Sequence, residues 1–458
     1  MSLTQAIASW ISRTSYSAIP TEAIEAGNVS CFDALGVALL GSKAPLGRTL
    51  LAYADACGGH PQSSIVGRRE PTSSALAAMV NGACAHAMDF DNAGGFGHPA
   101  AVLFPAILAV AERQRSSGQA LLEAYVIGCE VGLALYYGGG GAKHAYRQME
   151  RGFHSTPVFG RVAAAAACAK LLKLDEVAIA SALGTAASSA AGLVCNFGTM
   201  TKALHAGDAA RDGLIAAELA ARGITSAKDV LEHPLGFVRT FFGDRRINHE
   251  LIVARLGKVY LTPITYSLKR HPTCGFNSSV TETLSNVIAA GECRATEITA
   301  IEIVMTDASS EVLLFSIPKS ALEAKFSVRY NAAVAALGRE DALFAHADDQ
   351  ALDPAIMQFM EKITVRIEPS VARAPHPDRG AVPVRITLAD GRTLERATPA
   401  SEVEGASTRP LSRERVVAKF RKNALAVFGK DRVDALVETF ADIRGIDDVS
   451  VAAALVRA

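Results

Sequence analysis

The chain has 458 residues, half of them hydrophobic and a fifth charged, with 46 Lys+Arg balanced by 46 Asp+Glu. That length suits roughly two to four domains around a large core. Zero net charge without any basic block gives no footing for a nucleic-acid partner. The start, Met1-Ser2-Leu3-Thr4-Gln5, lacks the basic and apolar regions of a secretory signal. The longest clean apolar run, Ala100 to Ala111, falls short of the ~20 residues of a membrane span. The expectation is a soluble cytoplasmic protein, and the low charge fits some surface buried in an oligomer.

The first half reads as helix after helix, rich in Ala, Leu and Val. The spacing predicts one helix over Val158 to Leu174, with Asp175 after it, and another over Ala209 to Arg222, stopped by Gly223. The run Gly138-Gly139-Gly140-Gly141 reads as a flexible loop, without the preceding strand that a dinucleotide-binding turn requires. The character changes near Tyr260 to Pro272. Glu297 to Met305 alternates apolar and polar residues as a strand does, Asp353-Pro354 opens a helix to about Lys362, and Ile363 to Ile367 alternates again. Val382 to Leu388 and Arg392 to Glu395 flank Ala389-Asp390-Gly391 as a hairpin. A last helical block starts near Ser412. The predicted fold is mainly α: a large all-helical domain, residues 1–267 plus 404–458, with an inserted smaller α+β domain, residues 268–403. A cleft between two such units is a usual place for a small-molecule site. The eight cysteines form no CxxC pair and are expected as buried free thiols.

Chemistry concentrates first in Asp89-Phe90-Asp91-Asn92-Ala93-Gly94-Gly95-Phe96-Gly97-His98-Pro99. Acids and a histidine before an apolar helix are costly to bury, and folds keep such groups where they bind or move protons. Gly152-Phe153-His154 precedes a helix whose first amides favour an anion, against the plainer reading of a capping histidine. In Asn196 to Gly207, Lys202 and His205 lie three apart between Gly198 and Gly207, just before the helix predicted at Ala209. Lys202 there is a fixed charge or a proton source, or else a solvated surface lysine. Lys269-Arg270-His271, closed by Pro272 at the proposed domain boundary, would point cations into the cleft, or serve as a basic linker. Lys325, Arg329 and Tyr330 would contribute from the second domain, or belong to an ordinary amphipathic helix. HExxH, EF-loop, cysteine-set, GxSxG and P-loop patterns are absent. What remains is acid–base work on an anionic substrate without metal or cofactor, in which Lys, Arg and imidazolium stabilise the charge that develops on a carboxylate.

With these motifs assembled, the chain resembles the MmgE/PrpD family over nearly its whole length. The resemblance rests on His86-Ala-Met-Asp89-Phe-Asp91, His98-Pro99, Gly152-Phe-His154, Asn196-Phe-Gly-Thr-Met-Thr-Lys202-Ala-Leu-His205-Ala-Gly207 and Lys269-Arg-His-Pro272, in that order. It implies a homodimer, no metal or organic cofactor, and a small polycarboxylate substrate. It assigns catalytic positions to Asp89, His98, His154, Lys202 and Lys269, and substrate contacts to His205 and Tyr330; the basic run at the boundary adds Arg270 and His271 as expected substrate contacts. Two departures stand out: Asn92-Ala93 where the family often carries Asp and a hydroxyl residue, and His271 where an aromatic residue precedes the proline. The expected function is a lyase, dehydratase or decarboxylase, on a di- or tricarboxylate. An epimerase of an amino- or imino-dicarboxylate is the alternative, and a non-catalytic homologue the third.

Overall fold

The computed structural model describes residues 2–138, 149, 151–243, 247–344, 352–368 and 381–458. The helical body is built from α1 (Leu3–Arg13), α2 (Thr21–Ser42), α3 (Pro45–Cys57), α4 (Ser74–Ala87), α5 (Pro99–Gln114), α6 (Gly118–Tyr137), α7 (Ser155–Leu171), α8 (Glu176–Ser188) and α9 (Met200–Ala220). After several short turns come α10 (Ser278–Ala289), β1 (Ile298–Thr306), α11 (Val328–Leu337), β2 (Ile363–Glu368), β3 (Val384–Leu388) and β4 (Thr393–Arg396), then α12 (Arg413–Ala424) and α13 (Lys430–Phe440). Helix starts follow capping chemistry: the side chains of Ser73, Ser117, Asp175, Ser327 and Ser412 each accept an amide hydrogen from the first turn they precede.

The sheet runs β2-β1-β3-β4, with β1 parallel to β2 and antiparallel to β3, and β3 antiparallel to β4. Ile301 of β1 lies opposite Ile363 and Ile386, so one apolar face is continuous across three strands. Two cores result. One gathers the side chains of α1 to α9 and also Val416, Phe420, Leu436 and Val456 near the C-terminus. The other gathers Leu284, Ile301, Ile303, Val334 and Ile386, with Phe197 reaching into it from the helical half.

The body is held together at glycine crossings. A Cβ on Gly82 of α4 would lie 2.9 Å from the Cα of Gly207 in α9, and one on Gly207 would run into the Met79 carbonyl. This crossing corrects one expectation. Gly207 does not precede a helix; it sits inside α9, so Lys202 and His205 occupy that helix's first turns. A glycine that reads as a breaker is here the point where two helices touch. Other expectations shift as well. Helix α7 starts at Ser155 rather than Val158, and the second-domain helix starts at Val328, leaving Lys325 ahead of it. Cys57 and Cys195 are exposed, while the other six cysteines are buried and all eight are free. Most of the Gly138–Gly141 run lies outside the described residues; Gly138 itself caps α6 with φ of 56°. Finally, α2 and α6 are long and apolar enough to cross a membrane, although the sequence pointed only to the shorter run at residues 100–111. Both are mostly buried against other helices.

Gly207→Ala is expected to destabilise the fold by at least ~2 kcal/mol, because backbone rather than a flexible side chain meets the new methyl. Gly445→Ala, with nothing near its added Cβ, should stay within ~0.5 kcal/mol of the parent. Urea unfolding of both variants checks the pair.

Candidate active site

Four helix ends meet where α4 and α9 cross. Helix α4 delivers His86 in its last turn, and the chain then turns sharply: the Asp89 amide donates to the His86 carbonyl at 3.1 Å, and Asp89 adopts φ of 50°. The following loop ends at His98, the N-cap of α5, with Pro99 at the first helical position. Asn92 Oδ1 accepts the Ala100 amide at 3.0 Å and so caps that same helix. The Ala93 amide donates to the Ser267 carbonyl at 2.7 Å, and a side chain at Gly94 would overlap the Thr265 carbonyl. Leu268 N–H in turn donates to the Gly405 carbonyl at 2.8 Å. Stitched on both sides, this segment carries the next residue, Lys269, to Asp89. His154 caps α7 and is fixed through its own amide to the Gly192 carbonyl at 3.0 Å. Helices α5, α7 and α9 all begin here, and their free amides and dipoles favour an anion.

Asp89 is the hub. Its Oδ2 accepts from Lys202 Nζ at 2.9 Å, its Oδ1 pairs with Lys269, and its backbone carbonyl accepts from Lys269 Nζ at 2.8 Å. Burial would raise its carboxyl, but the two ammoniums outweigh that and hold it well below the usual range. The Lys202 ammonium also lies over the rings of Phe197 and Phe326, at 5.4 and 5.1 Å from their centroids. Asp91 faces the other way. Its two oxygens take His86 Nδ1 and His98 Nδ1, both at 2.9 Å. Burial opposes its ionisation, yet the two imidazoles keep its carboxyl well below the usual range. An ionised carboxylate only accepts, so each ring holds its proton on Nδ1 and presents Nε2 as a base. His98 Nε2 lies 3.8 Å from Asp89 Oδ1, and His86 Nε2 is buried without a hydrogen-bond partner.

The imidazoles form a chain. The rings of His86 and His98 are 4.1 Å apart, those of His86 and His154 6.4 Å, and His154 Nδ1 lies 3.1 Å from His205 Nδ1. Burial, before any charge, lowers all four. His98 falls to about 3 despite Asp91, His205 to about 4, and His154, near Lys202, well below its ordinary value. At neutral pH the site therefore holds two carboxylates, two ammoniums and four neutral imidazoles.

Asp89, His98, His154, Lys202, Lys269 and His205 thus come together. Arg270, His271 and Tyr330 do not join them. Arg270 faces Glu282, Glu340 and Glu404 at 3.6–3.7 Å, and His271 Nε2 lies 3.7 Å from Glu340. The chain bends at Arg270 and His271, so these two side chains turn to Glu340 while Lys269 alone reaches Asp89. Tyr330 is buried in the second core, its phenol pushed up to about 12 by burial and by Asp353. Lys325 Nζ donates to the Pro272 and Leu343 carbonyls, and Arg329 to those of Ile363 and Met360. The structure adds His86 and Asp91, which stand in the first motif but carry no assigned role in the sequence. Their signal is the five-residue spacing that brings a helix-end histidine back onto the loop. Donor atoms of His86, Asp89, Asp91 and His98 lie within 4.8 Å of one another, a spacing that suits a metal ion. Each carboxylate oxygen is already engaged by an ammonium or an imidazole, so a cation would have to displace them.

The MmgE/PrpD N-terminal domain matches residues 5–250 and the MmgE/PrpD C-terminal domain residues 271–443. The chain belongs to the MmgE/PrpD family. Among its relatives are proteins named cis-aconitate decarboxylase. The human one is 28% identical over 476 residues, covering 100% of this chain and 95% of the relative. The mouse one is 26% identical, covering 93% and 87%, and that of Aspergillus terreus 25% identical, covering 98% and 94%.

Two outcomes are expected. In the unfolded chain the histidines take up protons near pH ~6.5, while in the fold they resist until far lower pH. The unfolded state then binds more protons in that interval, so stability is lost as pH falls from ~6.5 toward ~4. Below that, Asp89 and Asp91 add a loss of the same sign. Melting temperature should fall steadily across this range and less steeply in His98→Asn; a flat profile contradicts the assignment. Activity should survive dialysis against a chelator, and its loss with recovery on adding a divalent metal would overturn the ion-pair reading of Asp89.

Proposed function

We propose that this MmgE/PrpD protein is a lyase that removes carbon dioxide or water from a small di- or tricarboxylate, with cis-aconitate the first substrate to try. The observation that carries this reading is the buried bridge in which Asp89 holds two ammoniums beside the free Nε2 of a neutral His98. A lysine has three N–H donors. The bonds described use one of Lys202 and two of Lys269, so each keeps a donor for a substrate carboxylate. Breaking a bond next to a carboxylate builds charge on it, and fixed ammoniums in a dry site stabilise that charge. In loss of water, a neutral imidazole takes the proton from carbon, and the imidazolium so formed protonates the hydroxyl, which leaves as water. In loss of carbon dioxide, the C–C electron pair passes into the conjugated carboxylate, and an imidazole that has first taken a proton from solvent gives it to carbon. His98 and His154 are the proton-transfer residues in this reading, and Lys202 and Lys269 bind carboxylates. In this reading the substrate enters between the helical body and the unit of residues 268–403, taken as an insertion that Lys269 opens.

A second reading, epimerisation of an amino- or imino-dicarboxylate, is favoured by Ala93. A Cβ on Gly275 would lie 3.8 Å from that of Ala93 and 4.0 Å from Lys269 Cε, so these neighbours of the ammonium carry no hydroxyl to assist a leaving group.

His154→Ala should lower turnover at least ~tenfold while the variant still folds. Near-parental turnover would remove His154 from the mechanism. A panel of di- and tricarboxylates run in D2O separates the readings. Product of lower mass supports a lyase, whereas deuterium in recovered substrate without net loss supports an epimerase. A panel with no turnover and no exchange would sink both.

A further inference from the structure

We propose that Lys419, paired with Asp33, is a positioning residue that locks the Asp89–Asp91 turn in its working shape. The inference rests on the site assigned above, but the contacts themselves stand apart from any reaction. Lys419 belongs to α12, far along the chain from the turn, and its ammonium reaches it in two ways. It donates to the Phe90 carbonyl at 2.9 Å and lies 3.9 Å from the centroid of the Phe90 ring. A further contact ties it to Asp33 Oδ1 of α2 at 2.8 Å. Both side chains are nearly sealed, at 8% and 1% exposure, so this is an interior ion pair. Burial pushes Asp33 up and Lys419 down, and Asp33 Oδ2 has no hydrogen-bond partner.

Such a pair is a poor device for stability alone, since well-packed apolar residues usually serve as well. Its target gives the better reason. Asp89 is a non-glycine residue at φ 50°, a conformation that surroundings must impose. Two successive carbonyls of the turn are gripped by ammoniums: that of Asp89 by Lys269 and that of Phe90 by Lys419. With both carbonyls held, the two peptide groups flanking Phe90 are restrained from rotating. That fixes the divergence of the two carboxylates, Asp89 toward the lysines and Asp91 toward the histidines. The grip is itself braced, because Phe32 beside Asp33 stacks on Phe420 beside Lys419 with centroids 4.2 Å apart and planes at 10°. A Cβ on Gly36 would come within 2.8 Å of that Phe420 ring, so α2 and α12 are in close contact where the pair forms.

The test uses Lys419→Met and, because a lone buried Asp33 can unfold the chain, the double variant Asp33→Asn/Lys419→Met. One readout is steady-state kinetics on whichever polycarboxylate the parent turns over. The other, independent of turnover, is the pair of imidazole Nδ1–H protons on Asp91, observed by NMR with 15N-labelled histidine. The expected result is a folded double variant with kcat reduced at least ~tenfold, KM within ~threefold, and both imidazole resonances shifted or broadened. A folded double variant with parental kinetics and resonances overturns the proposal. So does loss of turnover with unchanged resonances, or failure of both variants to fold, which would make the pair a folding element. If the parent turns over no polycarboxylate, the lyase reading fails while the resonances still decide the role of Lys419.

Discussion

The ion bridge of Lys202, Asp89 and Lys269 is the interaction on which the rest of the site depends. Its three members come from the end of α4, the start of α9 and the segment entering the smaller sheet-containing unit. None of the charges is tolerable alone at that depth, since an unpaired buried ion is far more costly than a paired one. The bridge therefore couples the folding of the two cores to the assembly of the site. It also explains why so much local structure around it has a single purpose. The Gly82–Gly207 crossing brings α4 and α9 close enough for Lys202 to reach, and the Ala93–Ser267 and Leu268–Gly405 pairings set the register that delivers Lys269.

Asp91 performs a different task two residues away. By accepting from two imidazoles at once it selects their tautomers, and it leaves Nε2 of each available. The adjacent acids thus divide the work, one holding positive charge and one orienting bases. That division depends on the left-handed Asp89, because an extended Asp-Phe-Asp would send both carboxylates to the same side.

Much of this is legible in the sequence, in proportion to how local the cause is. Strand alternation at residues 297–305 and 363–367, the Asp-Gly hairpin and the Asp353-Pro354 helix start all follow from short-range chemistry, and the structure has them within a residue or two. The motif residues that a loop or cap holds in place, Asp89, His98 and His154, stand out because an acid or imidazole just before an apolar helix is costly to bury without a task. Glycines mislead where their cause is tertiary. Gly207 looks like a stop and is a contact. Adjacency groups Arg270 and His271 with Lys269, whereas neighbouring side chains part company in space and find Glu282, Glu340 and Glu404. Lys419 carries no signal at all. It lies in a charged amphipathic helix among other basic residues, and only the fold shows that it points inward.

Charge balance connects the site to its proposed substrate. Two carboxylates, two ammoniums and four neutral imidazoles sum to zero, which is how the cluster survives burial. A polycarboxylate reaching this buried cluster would bring two or three negative charges into a region where water no longer screens them. The helix amides of α5, α7 and α9 offset part of that. In the proposed reaction the imidazoles would supply the rest, because a nearby anion favours the protonation that burial suppresses. In the proposed reaction, the same burial that keeps the cluster neutral overall would favour polyanions over substrates of lower charge.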